Sequence, residues 1–208
     1  MCMSKGLLLV VSAPSAGGKG TILKELLRTE DSLRMSVSAT TRQPRPGEEH
    51  GKQYYFISRE EFQTQAAQGM MLEYAEYVGN CYGTPRGPVD QWREEGLDVV
   101  LEIEVQGGAQ VKKLAPDCVT VFITPPSMAV LEQRLRDRGT EDEAAIQNRL
   151  ETALVELGHA QEYDYIVVND RLEDAVEDMR AILRSEKRKY ERNADFIRKV
   201  ITHAETIR

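Results

Sequence analysis

The sequence predicts an α/β fold in which a parallel sheet is flanked by helices and interrupted by a small strand, helix and strand insert. Three observations carry that prediction. Leu7-Leu8-Leu9-Val10-Val11 is an unbroken apolar run that ends in small and turn-forming residues, the pattern of a strand buried on both faces. A glycine-rich turn follows it, and then Ile22, Leu23, Leu26 and Leu27 recur at helical spacing between Lys19 and Arg28. Further on, stretches 99–103, 119–123 and 165–168 are short β-branched runs separated by helical patterns around 108–114 and 127–161. Strands and helices alternating in this way build a sheet layered between helices.

The other elements follow in chain order. Two prolines and two glycines among mixed charges between Thr40 and Gly51 exclude regular structure there. Residues 54–57 read as a short strand, and Ser58-Arg59-Glu60-Glu61 as a capping box opening a helix that runs to Gly69. Strand character resumes over 71–78. The last helical pattern starts near Leu172 and carries Ala175, Val176, Met179, Ile182 and Leu183 on one face. Lys187-Arg188-Lys189 and Arg192 alternate with Glu186 and Glu191, which reads as an exposed helix face. No repeat at solenoid periods is present.

Composition narrows the function. The chain has 208 residues, 41% of them hydrophobic, enough for one substantial core with insertions. Charged residues make up 29% and no long Ser, Gly or Pro tract occurs, so the chain should fold almost end to end. A formal net charge of -7 argues against nucleic acid as a partner, because polyanion binding exchanges counterions with a basic surface. A small phosphate ligand is still compatible where arginines converge in a cleft. Cys2, Cys81 and Cys118 are odd in number and far apart, so neither a disulfide framework nor a CxxC motif is expected, and a reducing compartment suits them. The longest apolar run is too short for a bilayer and the first residues lack a signal-peptide pattern, so a cytoplasmic protein without a membrane partner is expected. Oligomeric state is not legible.

Ala13-Pro14-Ser15-Ala16-Gly17-Gly18-Lys19-Gly20-Thr21 lies between the first strand and the first helix. Such a loop points backbone N–H groups and the positive end of a helix at phosphate oxygens, with a lysine reaching the β- and γ-phosphates of a nucleotide. Lys19 is that lysine. Two positions depart from GxxxxGK[ST]: Ala13 replaces the first glycine, and Gly20 stands where a magnesium-binding hydroxyl is expected, leaving Thr21 to supply one.

The segment from Thr40-Thr41-Arg42-Gln43-Pro44-Arg45-Pro46-Gly47-Glu48-Glu49-His50-Gly51-Lys52-Gln53 to Tyr54-Tyr55-Phe56 resembles the signature of the guanylate kinase family. Physically, Arg42 and Arg45 on a proline-stiffened loop can fork onto one phosphate, and Tyr54 can add a hydroxyl donor. The resemblance implies a P-loop core (1–38, 88–125 and 161–208), a GMP-binding insert (39–87) and a helical lid (126–160). It also implies transfer of the γ-phosphoryl group of ATP to GMP, giving ADP and GDP in purine nucleotide recycling, with Mg²⁺ accompanying ATP.

Residue roles follow from the same resemblance. Arg42, Arg45 and Tyr54 would hold the GMP phosphate, Glu48 would orient them, and Ser38 would contact the base. Glu73 aligns with the acid that reads guanine; a carboxylate can accept from both N1–H and the exocyclic amine, a pair adenine cannot offer. Tyr82 and Thr84 match further phosphate and base positions. Glu102 and Glu104, in Leu-Glu-Ile-Glu-Val-Gln-Gly, are expected on one face of a core strand; Glu102 is placed like a Walker B acid holding magnesium through water, and Glu104 like an acid near guanine, although the sequence does not divide those roles. Arg134, Arg138 and Arg149 match the arginines that the lid brings to the transferring phosphoryl group, while Arg136 has no counterpart and is expected to be solvated. Asn169 and Asp170 stand where the family contacts adenine, with Arg171 departing from its usual aspartate.

In-line transfer between phosphates needs positioning and charge more than a general base, so Lys19, Mg²⁺ and the arginines suffice and the lack of a catalytic histidine is no objection. A P-loop kinase for AMP or a ribose phosphate is the nearest rival, opposed by Glu73 and Ser38. A guanylate-kinase-like module that binds phosphopeptides is the rival from another class, opposed by the intact Gly18-Lys19.

Overall fold

The computed structural model describes residues 5–137, 139 and 142–206, the side chains of 203–206 excepted. In chain order the elements are β1 (Leu8–Ser12), α1 (Lys19–Thr29), β2 (Leu33–Met35), β3 (Ala39–Thr40), β4 (Tyr55–Phe56), α2 (Arg59–Ala67), β5 (Met71–Tyr77), β6 (Asn80–Pro85) and α3 (Arg86–Glu94). There follow β7 (Asp98–Glu102), α4 (Val105–Leu114), β8 (Val119–Thr124), α5 (Met128–Asp137), α6 (Glu143–Gly158), β9 (Tyr165–Val168), α7 (Leu172–Lys187) and α8 (Tyr190–Thr206).

Five strands form an all-parallel sheet in the order β2-β7-β1-β8-β9. The central strand β1 is buried throughout, and its alternation splits the core in two. Leu7, Leu9 and Val11 pack with Ile22, Leu26, Met179 and Leu183 from α1 and α7. Leu8 and Val10 pack on the other side with Val89 of α3 and Val111 of α4. Each such side chain contributes about 1.5–3 kcal/mol by leaving water. Because β1 lies mid-sheet, the loop after it emerges at the sheet's carboxyl edge, where open α/β sheets bind ligands.

A second sheet, ordered β4-β3-β6-β5, stands beside the first. It covers its own small core of Ala39, Phe62, Met71 and Cys81. The Ser58 hydroxyl caps α2 by accepting from the Glu61 amide at 3.0 Å, as the capping box predicts. The structure adds elements beyond the predicted ones: β2 and β3 are too short to show periodicity, and β6 and α3 contain Gly83, Pro85, Gly87 and Pro88, which read locally as turns.

The C-terminal helical pattern divides in two. Helix α7 ends at Lys187 and α8 starts at Tyr190, with Arg188 as the cap between them. The basic stretch is therefore a junction rather than one continuous solvated face. Lys187 pairs with buried Asp98, Lys189 with buried Glu186 at 2.7 Å, and Arg192 donates to the Asp117 carbonyl at 2.9 Å. Among the described residues, no helix is long and apolar enough to cross a membrane.

Candidate active site

The phosphate loop is shaped by its glycines and held by Asn169. Gly18, the residue before α1, has φ +91°, and a Cβ there would lie 2.1 Å from the Asn169 Nδ2, so only glycine fits. That buried amide donates to the Gly17 carbonyl at 2.8 Å. Asn169 thus braces the loop from the end of β9, whereas the sequence placed it against adenine; Asp170, beside it, is exposed. The Gly17 amide donates back to the Pro14 carbonyl at 2.8 Å, and Ala13 packs into the core below. Ala16 takes φ +63°, a further sign of a tightly folded loop. The Lys19 ammonium reaches across to the Ile103 carbonyl at 3.2 Å.

Two groups from α6 reach this loop, and one from α5 reaches Asn169 beside it. Arg134 Nη2 donates to the Asn169 carbonyl at 2.8 Å, and Arg149 Nη1 donates to Ser15 Oγ at 2.8 Å. The Ser15 amide donates to Glu156 Oε2 at 3.3 Å. Glu156 escaped the sequence reading, although it lies seven residues after Arg149 and so two turns along the same helix face. Burial raises its carboxyl to about 7, reinforced by a hydrogen bond with Glu104 and that acid's charge, and opposed by the Ser15 amide and Lys19. Arg136 is not merely solvated: it bonds Glu132 at 2.8 Å and Glu143 at 2.6 Å, joining α5 to α6. Arg138 lies outside the described residues.

The two acids after β7 part company. Glu102 ends the strand beside Val11 of β1, and its Oε1 lies 3.6 Å from where a Cβ on Gly20 would sit. It overhangs the first turn of α1, next to exposed Thr21. Glu104 is not on the strand face as expected; β7 ends at Glu102, the Ile103 amide still donates to the Val11 carbonyl at 3.3 Å, and Glu104 becomes the extended residue that precedes α4. It therefore meets Glu156 rather than pairing with Glu102.

On the second sheet, register gathers the remaining residues. Glu73 stands opposite Thr84, and Tyr82 lies two residues along the same strand, hence on the same face. Ser38 precedes β3, and its carbonyl accepts from the Tyr55 amide at 2.8 Å, so it continues that row beside Tyr54. Glu73 is buried and accepts a 2.6 Å hydrogen bond from the Thr84 hydroxyl. Burial raises its pKa despite that bond. At the mouth, Arg42 forks onto Glu48 at 2.9 and 3.0 Å, and Glu48 also accepts from the Arg45 amide at 2.7 Å. Glu48 therefore closes the proline-stiffened loop, and the Arg42 guanidinium holds its carboxyl below the usual range. Arg42 lies 5.4 Å over the Tyr54 ring, which meets Tyr82 edge-on at 6.0 Å. The Arg45 side chain is exposed on the same loop.

A parallel sheet with a phosphate loop after its central strand, arginines converging from a helical pair, and a side sheet with an arginine mouth and a buried acid define a P-loop nucleoside monophosphate kinase. Comparison with known proteins specifies which. The "Guanylate kinase" family model matches residues 5–186. "Guanylate kinase" of Desulfitobacterium hafniense (strain Y51) is 54% identical over 187 residues, covering 90% of this chain and 94% of that protein. "Guanylate kinase" of Clostridioides difficile (strain 630) is 46% identical over 197 residues, covering 95% and 96%. The crystal structure of guanylate kinase from Anaplasma phagocytophilum superposes with a TM-score of 0.69 at 36% identity, covering 89% of this chain and 88% of that one. The chain belongs to the guanylate kinase family, the ATP:GMP phosphotransferases among the nucleoside monophosphate kinases.

Proposed function

We propose that the enzyme moves the γ-phosphoryl group of ATP directly onto the phosphate of GMP, with ATP held on the first sheet and GMP on the second. The observation that carries the acceptor assignment is the buried Glu73 carboxylate on Thr84, set behind an arginine mouth. A base that offers N1–H and an exocyclic amine satisfies that carboxylate. Adenine leaves it desolvated with no hydrogen bonds from the base beyond the one from Thr84, which costs several kcal/mol. Ser38 adds a polar group beside it. Arg42, Arg45, Tyr54 and Tyr82 take the GMP phosphate, and Glu48 keeps Arg42 oriented.

On the donor side, the amides of 15–20 and Lys19 cradle the ATP phosphates. Arg134 and Arg149, with Arg138, neutralise the equatorial oxygens as the bond shifts. Residues 126–160 act as a lid that excludes water, and 39–87 as the acceptor-binding insert. Glu102 and Thr21 offer one carboxylate and one hydroxyl at the first turn of α1. That donor set suits Mg²⁺, which keeps several waters and shares its shell with substrate phosphates. When bound, Mg²⁺ supplies charge neutralisation at the β- and γ-phosphates.

The test is ADP release from ATP and Mg²⁺ with GMP, AMP, UMP and CMP as separate acceptors and a no-acceptor control. Turnover with GMP at least about a hundredfold above the others is the expected result. Comparable turnover with AMP would overturn the base assignment, and no turnover with any acceptor would favour a binding module.

A further inference from the structure

Strand β5 is the free edge of the second sheet, yet the acid proposed to read guanine sits on it. A free edge is a poor platform for a residue that must be held to a fraction of an ångström. Helix α4, which follows β7 in the first sheet, takes that edge. Gln110 Nε2 donates to the Tyr74 carbonyl at 3.1 Å, and the Tyr74 amide donates to Gln110 Oε1 at 3.1 Å. One primary amide thus satisfies both outward backbone groups of the residue after Glu73, as a neighbouring strand would. One turn earlier on the same helix face, Gly107 lies against Glu73 itself. A Cβ at Gly107 would come within 3.1 Å of Glu73 Oε2 and 3.5 Å of its Cγ and Cδ. The β5–β6 register shifts between Met71 and Glu73, so the regular ladder that pairs Glu73 with Thr84 begins at the acid itself.

We propose that Gly107 and Gln110 are positioning residues for acceptor selection: the core helix α4 clasps the edge of β5 and leaves room for Glu73 to turn toward the base. Neither residue touches the base; both act through Glu73, and the proposal rests on the reading that Glu73 recognises guanine. Thr84 holds the carboxylate from the sheet side, and α4 sets its position from the core side. This seam links the acceptor-reading strand to the helix that Glu104 opens on the ATP side.

The experiment measures KM for GMP, KM for ATP, kcat, and the GMP-to-AMP ratio of kcat/KM in wild type, Gln110→Ala, Gly107→Ala, Glu73→Gln and the double variant Glu73→Gln/Gln110→Ala. Melting temperatures accompany each. Gly107→Ala is the stringent case, because alanine favours a helix more than glycine does and the fold is not weakened by propensity. The expected result is a rise of about tenfold in KM for GMP and a reduced GMP-to-AMP ratio in both single α4 variants, with KM for ATP within about twofold of wild type. In the Glu73→Gln background, Gln110→Ala should add less than about twofold. If Glu73→Gln weakens GMP selection while both α4 variants match wild type, the clasp is overturned and the Glu73 reading stands. If Glu73→Gln leaves selection unchanged, both fall. Equal losses for GMP and ATP with a lowered melting temperature would also overturn the proposal, leaving Gln110 a purely structural brace.

Discussion

Glu156 shows best how a single residue can matter without announcing itself. It sits at helical spacing in a segment rich in acids, and nothing local separates it from exposed Glu151. Its distinction comes from three distant neighbours, the Ser15 amide, Lys19 and the Glu104 carboxyl. A carboxyl raised to about 7 in the folded protein keeps a proton that the unfolded chain has already released above its ordinary value of 4.5. Folding is then linked to proton uptake, so this group's contribution weakens stability progressively as pH rises from the ordinary carboxyl value through about 7. Glu156→Gln removes the linkage. The melting temperature of wild type relative to this variant should fall between about pH 5 and pH 8, and a difference that stays constant across that range would contradict the assignment. By contrast, Lys19 and Arg42 stand inside contiguous motifs whose chemistry calls for their type, whereas Glu73 is marked only by the family resemblance of the residues around it. The bracing bond from Asn169 to Gly17 was not legible, since it spans most of the chain.

At the scale of elements, legibility followed length and burial. Strand β1 reads plainly because both faces are buried, and α7 because its stripe of Ala175, Val176, Met179, Ile182 and Leu183 faces the core. Strand β9 reads less simply: Val167 is buried, but Ile166 and Val168 are exposed, because an edge strand is covered on one side only. Strand β6 hid behind Gly83 and Pro85. Gly83 is a packing requirement, since a Cβ there would meet the Glu73 carbonyl at 2.7 Å. Helix α3 hid behind Gly87 and Pro88, yet it carries a buried cation. Arg93 Nε donates to the Gly6 carbonyl at 3.0 Å, and its Nη2 bonds the Asp117 carboxylate. These contacts lie at the end of the sheet opposite the phosphate loop, tying α3 to the entrances of β1 and β8. Arg93→Ala should therefore cost about 1–3 kcal/mol in urea denaturation, because the Gly6 carbonyl loses its partner, while kcat with GMP at 25 °C stays near wild type. A proportionate loss of kcat would mean that α3 shapes the acceptor site directly.

For the whole molecule, the proposed function gives one phosphate chemistry to each sheet, and α4 packs against the edge of the second. The first sheet presents backbone amides and Lys19, and the second presents Arg42 over an aromatic floor with Glu73 behind it. The net negative charge of the chain does not oppose nucleotide binding, because the local field at each mouth comes from these few cations. Family and fold were legible in advance because the motifs are contiguous. The division of Glu102 from Glu104, the Glu104–Glu156 pairing and the α4 clasp were not, because each depends on where one strand stops or on which helix crosses it.

The central claim, that Glu73 accepts two hydrogen bonds from guanine, is tested most directly by comparing kcat/KM for GMP with that for inosine monophosphate, which keeps N1–H but lacks the exocyclic amine. Hydrogen bonds to a charged group contribute about 1.5–3 kcal/mol each, so the account predicts that inosine monophosphate is poorer by about 10- to 150-fold and AMP poorer still. Equal kcat/KM for GMP and inosine monophosphate would contradict it.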